Sequence, residues 1–271
     1  MKAKPFRIGS VTVGGKKLLL ILGPCVLESE KSARRAAQKL VTLSKQLGQP
    51  FIFKASYDKA NRTSGSSFRG LGARQGCEIL GRIRADFGVP VTTDVHSPED
   101  VALAAPHVDL LQIPAFLCRQ TDLIMEAGSS GRAVNVKKGQ FLSPWEIAPI
   151  AKKLQAAGCR KFFFTERGTT FGYNNLVADM RSIPWIQEQG YQVIFDATHS
   201  VQRPGGGGDC TTGDGALAPT LAYAAVAAGA DGVFLETHEN PRRAPSDGPN
   251  QIPLAQLPAV LRKIMRIREA L

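Results

Sequence analysis

Short apolar runs alternate with helix-length segments along almost the whole chain. Eight runs can be read, namely LLLILG, FIFK, PVTTD, LLQIP, AVNVK, FFFTE, YQVIFD and GVFLE, which begin at positions 18, 51, 90, 110, 133, 162, 191 and 232. Several of the intervening segments open with Ser or Thr, which can cap a helix, and close with Gly before the next run. Short buried strands that alternate with helices predict a parallel sheet with crossover helices.

The number of predicted strands favours one architecture. Eight strands in 271 residues indicate a closed (β/α)8 TIM barrel of the α/β class rather than an open doubly wound sheet. We predict a single barrel domain over residues 1–271, with residues 257–271 as the last helix. Residues 1–17 contain a predicted N-terminal β-hairpin with Gly14 and Gly15 as its turn. Two long Gly/Pro-rich connections, 202–219 and 238–253, are predicted to be active-site loops.

The chain is strongly basic. It has 34 Lys and Arg against 23 Asp and Glu, a formal net charge of +11, and therefore attracts anions. Its longest basic clusters are pairs such as Lys16-Lys17 and Arg242-Arg243, and this spread favours small anionic ligands over nucleic acid or a membrane surface. A basic nucleic-acid-binding protein is the alternative from another class, and it would require a contiguous basic face.

The five cysteines show no CxxC spacing, which argues against a disulfide framework or a structural zinc knot. This usage predicts the reducing cytoplasm. The first residues lack the apolar stretch of a signal peptide, and no window approaches the roughly 18 apolar residues of a membrane span. We therefore expect a soluble, cytoplasmic protein.

Polar residues end every predicted strand, where a barrel forms its active site. In strand order they are Cys25 and Glu28, Lys54 and Lys59, Asp94 and His96, Gln112, Lys137, Glu166 and Arg167, Asp196 and His199, and Glu236 and His238. Four cations on different strands (Lys54, Lys59, Lys137 and Arg167) could neutralise a substrate with both phosphate and carboxylate, and phosphoenolpyruvate would fit. Alternatively, each Lys pairs with an acidic residue at the rim.

Two further sets of residues have two interpretations each. The segment KASYDKANRTSGSSFRG, after the second strand, could hold another phosphate through Arg62 and donors around Thr63, or could be a flexible basic loop. Cys25, His199, Glu236 and Asp247 suit a divalent metal such as Zn, Fe, Mn or Co. Composition alone favours an inert, buried Cys25 over a ligand.

Nine segments then occur in one order: GPCVLES, FKASYDKANRTS, TTDVHS, QIPAFLCRQTDL, NVKKGQF, TERGTTFGYNNLVADMRS, DATHSVQ, GVFLETHENP and SDGPNQ. On these segments the chain closely resembles the 3-deoxy-D-manno-octulosonate 8-phosphate synthase family, also called 2-dehydro-3-deoxyphosphooctonate aldolase. The resemblance implies condensation of phosphoenolpyruvate with D-arabinose 5-phosphate and water, with release of phosphate, in lipopolysaccharide biosynthesis. The rival 3-deoxy-D-arabino-heptulosonate 7-phosphate synthase family takes erythrose 4-phosphate and typically has KPRTS where this chain has KANRTS, so Asn61 favours the five-carbon acceptor.

The resemblance also implies roles for individual residues. Phosphoenolpyruvate would be bound by Lys54, Lys59, Gln112, Ala115, Lys137 and Arg167. Arabinose 5-phosphate would be bound by Asn61, Arg62 and Thr63, with Arg119 reaching it from a neighbouring subunit of a homotetramer. Because metal-independent members have Asn where this chain has Cys25, the resemblance implies a metal site formed by Cys25, His199, Glu236 and Asp247. The catalytic proton transfer stays open among Lys59, Asp94, His96 and Asp247.

Overall fold

The computed structural model describes residues 3–61, 65–206 and 212–271. The strands, in chain order, are β1 (Phe6–Ile8), β2 (Val11–Val13), β3 (Leu19–Gly23), β4 (Phe51–Lys54), β5 (Val91–Asp94), β6 (Leu110–Ile113), β7 (Ala133–Lys137), β8 (Phe162–Glu166), β9 (Thr169–Thr170), β10 (Leu176–Val177), β11 (Val193–Asp196), β12 (Gln202–Arg203), β13 (Thr212–Gly213), β14 (Gly232–His238) and β15 (Ile252–Pro253). The α-helices are α1 (Glu30–Leu47), α2 (Ala73–Phe87), α3 (Pro98–Ala104), α4 (Thr121–Ser129), α5 (Ala148–Ala156), α6 (Ser182–Glu188), α7 (Ala197–Ser200), α8 (Ala218–Ala227) and α9 (Leu257–Glu269). Short 3-10 helices cover Ala115–Leu117, Pro144–Ile147, Gly215–Leu217, Pro241–Arg243 and Gly248–Asn250.

Eight parallel strands form a closed barrel. β3 to β8 pair in sequence order, β8 pairs with β11, β11 with β14, and β14 with β3, which closes the ring. The predicted (β/α)8 barrel is therefore confirmed, and each predicted apolar run supplies one barrel strand. Boundaries shift slightly, since β11 begins at Val193 rather than Tyr191 and β14 continues to His238.

The helices begin and end where the sequence provides caps. Before α1, the Ser29 hydroxyl accepts a hydrogen bond from the Ser32 amide, and Gly48 follows the helix in the left-handed conformation with φ of 60°. Before α3, Ser97 accepts from the Asp100 amide in the same way. These caps fix where each connection leaves the barrel, and so they help to place the strand ends.

The N-terminal hairpin is present, but its predicted turn is wrong. Ile8 pairs with Val11, so the turn consists of Gly9 and Ser10, and Gly9 has φ of 54°. This register puts Ile8, Val11 and Val13 into one buried cluster with the barrel interior. A turn at Gly14 and Gly15 would instead place Lys16 opposite the buried Val13, so that register is disfavoured.

Two small antiparallel ladders, β9 with β10 and β12 with β13, lie in the connections after β8 and β11. The second belongs to the 202–219 connection, which the sequence predicted only as a loop. That connections 202–219 and 238–253 serve as active-site loops, and that the whole chain is a single domain, stay predictions. Within the described ranges, every helix is too short or too polar for a membrane crossing.

Candidate active site

A buried polar ladder crosses four neighbouring strands inside the barrel. Gln112 Nε2 donates to Asp94 Oδ1 at 2.6 Å, Asn135 Nδ2 donates to Gln112 Oε1 at 2.8 Å, and Thr165 Oγ1 donates to Asn135 Oδ1 at 2.7 Å. Ser56 also donates to the other oxygen of Asp94. The Gln112 amide is thus engaged at both ends and holds Asp94 in place, while its predicted substrate contact stays a prediction.

Glu236, at the carboxyl end of β14, is a buried acceptor for two of the predicted cations. Lys54 Nζ lies 2.5 Å and Lys59 Nζ 3.9 Å from Glu236 Oε1. Burial opposes ionisation of Glu236, but the charges of Lys54, His199 and Lys59 outweigh it and lower the pKa of this carboxyl. Lys54 also donates to the Cys25 carbonyl at 2.9 Å, which links β4 to the loop after β3.

Lys59 also faces Asp94, with 3.9 Å between Nζ and Oδ2. Burial opposes the charge of the Lys59 ammonium, yet Cys25, Glu236 and Asp94 raise its pKa well above the usual value. Burial likewise opposes ionisation of Asp94, and Lys59, Lys54 and Lys137 lower its pKa. Asp94 is thereby held as a charged partner of Lys59, and the proton-transfer roles predicted for Asp94 and Lys59 stay predictions.

Asp196 organises the neighbouring part of the site. It ends β11 and caps α7, where its Oδ1 accepts from the His199 amide at 3.0 Å. Its Oδ2 lies 2.7 Å from His199 Nδ1 and 2.6 Å from Lys137 Nζ. Burial opposes ionisation, but His199 and Lys137 lower the pKa of Asp196. A proton on His199 Nδ1, donated to Asp196, leaves Nε2 with its lone pair available to a ligand.

Three of the four predicted metal ligands form one group. The Cys25 thiol and one carboxylate oxygen each from Glu236 and Asp247 lie within 4.8 Å of one another. His199 adjoins the group, with Nε2 3.6 Å from Glu236 Oε1. Burial and the Glu236 charge raise the pKa of the Cys25 thiol. A thiol, an imidazole and two carboxylates fit a borderline divalent cation, and such an ion would displace the thiol proton.

The loop that carries Asp247 is tied to the loop that carries Cys25. Cys25 Sγ lies 3.2 Å from Asp247 Oδ2 and 3.0 Å from the Ser246 hydroxyl oxygen. The Gln251 amide donates to the Ser246 carbonyl at 2.8 Å and accepts from the Cys25 backbone N–H at 3.4 Å. Two residues more than 220 positions apart in the sequence are thereby brought into contact.

Arg167 differs from the three lysines. Its Nη2 donates to Gln202 Oε1 at 2.6 Å, whereas its buried Nη1 has no hydrogen-bond partner within residues 3–61, 65–206 and 212–271. Burial lowers the pKa of Arg167, partly offset by nearby carboxylates that include Asp196 and Asp247. A buried guanidinium with a free N–H edge is a ready site for a phosphate or carboxylate oxygen.

A further buried ion pair joins Lys138 to Glu166, and no role for Lys138 was predicted from the sequence. Lys138 is fully buried, and its Nζ donates to the Leu142 carbonyl at 2.8 Å and lies 3.6 Å from Glu166 Oε2. Glu166 Oε1 accepts from the backbone N–H groups of Arg167 and Gly168 at 2.9 and 2.7 Å. The only sequence signal was the doubled lysine in NVKKG, which does not say that the second lysine turns away from the cavity.

The other candidate residues lie around this centre. His96 contacts Tyr57 and Asp100, each at 3.5 Å from its Nδ1. Ala115 begins the 3-10 helix after β6, and Arg119 is exposed. Asn61 is also exposed, while Arg62 and Thr63 lie outside the described residues. The roles predicted for all of these residues stay predictions.

If Cys25, His199, Glu236 and Asp247 hold a metal, replacing Asp196 by asparagine is expected to weaken metal binding by about 10- to 100-fold, because the carboxylate that orients His199 is lost. Competition with a chromophoric chelator measures this affinity directly. Asp86→Asn removes an exposed carboxylate that pairs with Arg34, so it should leave the affinity unchanged. Equal metal affinity of Asp196→Asn and the unmodified protein would contradict the orienting role.

Comparison with known proteins agrees with this geometry. A family model described as the DAHP synthetase I family matches residues 4–271. A 2-dehydro-3-deoxyphosphooctonate aldolase from Trichlorobacter lovleyi is 54% identical over 97% of both chains, and one from Geobacter sulfurreducens is 51% identical over 96% of both chains. The chain belongs to the 2-dehydro-3-deoxyphosphooctonate aldolase family. The family resemblance predicted from the nine segments is therefore confirmed.

The contacts of the three lysines bear on two alternatives from the sequence analysis, the rim ion pairs and the nucleic-acid-binding protein. Lys54, Lys59 and Lys137 do contact carboxylates, as the rim alternative required, but they do so in the buried mouth of the barrel. Lysines that are buried there cannot form the contiguous exposed face that a nucleic-acid-binding protein would need. The three lysines are therefore buried at the strand ends, and the substrate contacts predicted for them stay predictions.

Proposed function

We propose that this protein condenses phosphoenolpyruvate with D-arabinose 5-phosphate and water to give 3-deoxy-D-manno-octulosonate 8-phosphate and phosphate. The observation that carries the proposal is the buried Arg167 guanidinium, whose Nη1 has no partner within the described residues, at the barrel end where Lys54, Lys59 and Lys137 are also buried. Phosphoenolpyruvate has a phosphate and a carboxylate, which together match several separate cations. Membership of the aldolase family supports this reaction.

In the proposed reaction, C3 of phosphoenolpyruvate attacks the aldehyde carbon of the sugar while water adds at C2. The resulting hemiketal phosphate then loses phosphate by cleavage of its C–O bond. Arg167 and Lys137 would hold the phosphoenolpyruvate anion in the orientation for attack. Lys59, whose raised pKa keeps its ammonium protonated, would stabilise the charge that develops on the departing phosphate.

We further propose a divalent metal, Zn, Fe, Mn or Co, held by Cys25, His199, Glu236 and Asp247. When bound, such an ion acts as a Lewis acid that polarises a carbonyl or lowers the pKa of a water. Charge balance supports it. The cations Lys54, Lys59, Lys137 and Arg167 are matched by the carboxylates Asp94, Asp196, Glu236 and Asp247. The charges of these side chains therefore cancel before the substrate binds. A divalent cation would supply the further positive charge that a multiply charged substrate anion needs.

The identity of the acceptor sugar decides between the proposed product and the alternative, 3-deoxy-D-arabino-heptulosonate 7-phosphate, which would be formed from erythrose 4-phosphate. Arabinose 5-phosphate is proposed to bind through Asn61, Arg62 and Thr63 of the KANRTS segment. Phosphate release from phosphoenolpyruvate, measured with purified protein and each acceptor in turn, decides between the two sugars. We expect turnover with arabinose 5-phosphate and at most a trace with erythrose 4-phosphate. Turnover confined to erythrose 4-phosphate would overturn the assignment.

A homotetramer is proposed, in which Arg119 reaches the arabinose 5-phosphate of a neighbouring subunit. Arg119 is exposed, and several aromatic side chains on the strand-end connections are exposed as well, namely Phe116, Phe141, Trp145 and Phe171. Large exposed aromatic residues are typical of surfaces that another protein covers. Cytoplasmic localisation is also proposed, because a metal site with a thiol ligand requires that thiol to stay reduced.

Subunit sharing makes a prediction for mixed oligomers. Arg119→Ala is expected to raise KM for arabinose 5-phosphate about tenfold, because one charge-assisted phosphate contact is lost. Co-expression of Arg119→Ala with Arg167→Met should give activity above that of either variant alone at low arabinose 5-phosphate, since intact residues from two subunits can then complete one site. Steady-state kinetics of the co-purified oligomers measure this. No restoration, with an unchanged KM in Arg119→Ala, would contradict the shared site.

A further inference from the structure

Gln202 is an uncharged side chain that touches both halves of the candidate site, the anion-binding Arg167 and the proposed metal ligand Asp247. Its Oε1 accepts a hydrogen bond from Arg167 Nη2 at 2.6 Å, and its Nε2 donates to Asp247 Oδ1 at 3.0 Å. The first contact is to the anion-binding cation and the second is to a proposed metal ligand. The amide thus lies between a positive and a negative group in the orientation that both charges favour.

The contact leaves the functional atoms of both partners free. Arg167 keeps its Nη1 edge without a partner in the described chain. Asp247 keeps Oδ2 turned toward the Cys25 thiol, at 3.2 Å, because Oδ1 is engaged by Gln202. Gln202 therefore sets the rotation of a guanidinium and a carboxylate without occupying the positions that ligands would use.

The backbone of Gln202 is fixed from two sides. It lies in β12, where it pairs with Gly213 of β13. A side chain at position 213 would collide with the Asn250 amide, so only glycine lets this ladder pack against the loop that carries Asp247. Arg203 closes the same ladder through an exposed ion pair with Asp214. The ladder is consequently seated on the Asp247 loop, and this seating positions Gln202.

We propose that Gln202 is a positioning residue that joins phosphoenolpyruvate binding to divalent-metal binding, through hydrogen bonds to Arg167 and Asp247. This inference rests on the proposed function, because it takes Arg167 as the anion site and Asp247 as a metal ligand. It makes a prediction that neither assignment makes alone, namely that a single uncharged residue outside both sets controls both affinities.

Two substitutions separate this role from a merely structural one. Gln202→Met keeps the shape but removes both hydrogen bonds, so the affinities for phosphoenolpyruvate and for metal should each fall about tenfold or more. Gln202→Glu places a carboxylate beside both groups. It should weaken phosphoenolpyruvate binding by neutralising Arg167, and it should hold the metal at least as tightly because negative charge is added next to Asp247.

Both affinities are measured without turnover. Calorimetry gives phosphoenolpyruvate binding to the full-length protein saturated with Mn²⁺, and chelator competition gives Mn²⁺ or Zn²⁺ binding in the absence of substrate. Gln189→Met is the matched control, since the Gln189 side chain donates to the Pro144 and Trp185 carbonyls and, among the described residues, to neither half of the site. Thermal unfolding of each variant checks that the fold is retained.

The expected pattern is a loss of both affinities in Gln202→Met, and in Gln202→Glu a loss of phosphoenolpyruvate affinity with metal affinity retained or increased. An unchanged affinity for either ligand in Gln202→Met, or a loss of both in a folded Gln202→Glu, would overturn the inference. If the unmodified protein binds neither phosphoenolpyruvate nor metal, the proposed function fails instead. The two failures are therefore distinguishable.

Discussion

Replacing Arg167 by methionine is expected to lower kcat/KM for phosphoenolpyruvate by about a thousandfold, because removal of a buried, hydrogen-bonded charge from a binding partner costs roughly 2–5 kcal/mol. The free energy of unfolding should change by less than about 1 kcal/mol, or even rise. Arg167 is already disfavoured by burial, and its Nη1 gains no partner in the described part of the chain. Steady-state kinetics and chemical denaturation measure the two effects on the same sample.

Arg82→Met is a suitable control for this substitution. Arg82 is an exposed arginine on α2 that pairs with Glu30, so its removal changes the net charge equally but leaves the cavity intact. We expect kcat/KM of Arg82→Met to equal that of the unmodified protein. A loss below about tenfold in Arg167→Met would contradict the role of Arg167 as the main anion site.

Replacing Lys138 by methionine is expected to lower the free energy of unfolding by about 3–5 kcal/mol, since it leaves the buried Glu166 without its cation. The substitution also removes the hydrogen bond from Lys138 to the Leu142 carbonyl, which holds the connection after β7. Urea unfolding measures the change. The double variant Lys138→Met with Glu166→Gln should recover part of the loss, because the unpaired charge is then removed as well.

An exposed lysine gives the matched comparison. Lys39 pairs with Glu239 at 2.7 Å on the surface, and its replacement by methionine should cost less than about 1 kcal/mol. If Lys138→Met were as mild as Lys39→Met, the buried pair would not be the support that we infer for β7 and β8.

The barrel could be predicted from the sequence because each strand is a short local run bounded by turn residues. The strand ends likewise placed Cys25 and Glu236 at one end of the barrel, and the connection after the last strand placed Asp247 there; the three lie together. The hairpin turn was misplaced because Gly9-Ser10 and Gly14-Gly15 both offer turn residues. Only the packing of Val11 and Val13 against the barrel interior, which is distant in the sequence, selects between the two turns.

The contacts of Lys138, Gln202 and Asn135 could not be predicted from the sequence, for a physical reason. Lys138 and Gln202 look like ordinary polar residues, and their importance comes from partners that the fold brings close. Lys138, after β7, pairs with Glu166 on the adjacent strand β8. Gln202 forms a hydrogen bond with Asp247, which lies 45 positions later in the sequence. Asn135 was missed in the same way, since a buried amide in a strand is informative only once Gln112 and Thr165 are known to flank it. Contacts of this kind depend on strand register rather than on local pattern.

The most direct test of the account is phosphate release from phosphoenolpyruvate with arabinose 5-phosphate, measured before chelation, after complete metal removal, and after add-back of a divalent metal. We expect turnover that disappears on chelation and returns with metal, together with an eight-carbon phosphorylated product identified by mass. Turnover that persists in protein shown to be free of metal would contradict the metal site at Cys25. Absence of turnover in metal-loaded protein under every condition would contradict the proposed reaction itself.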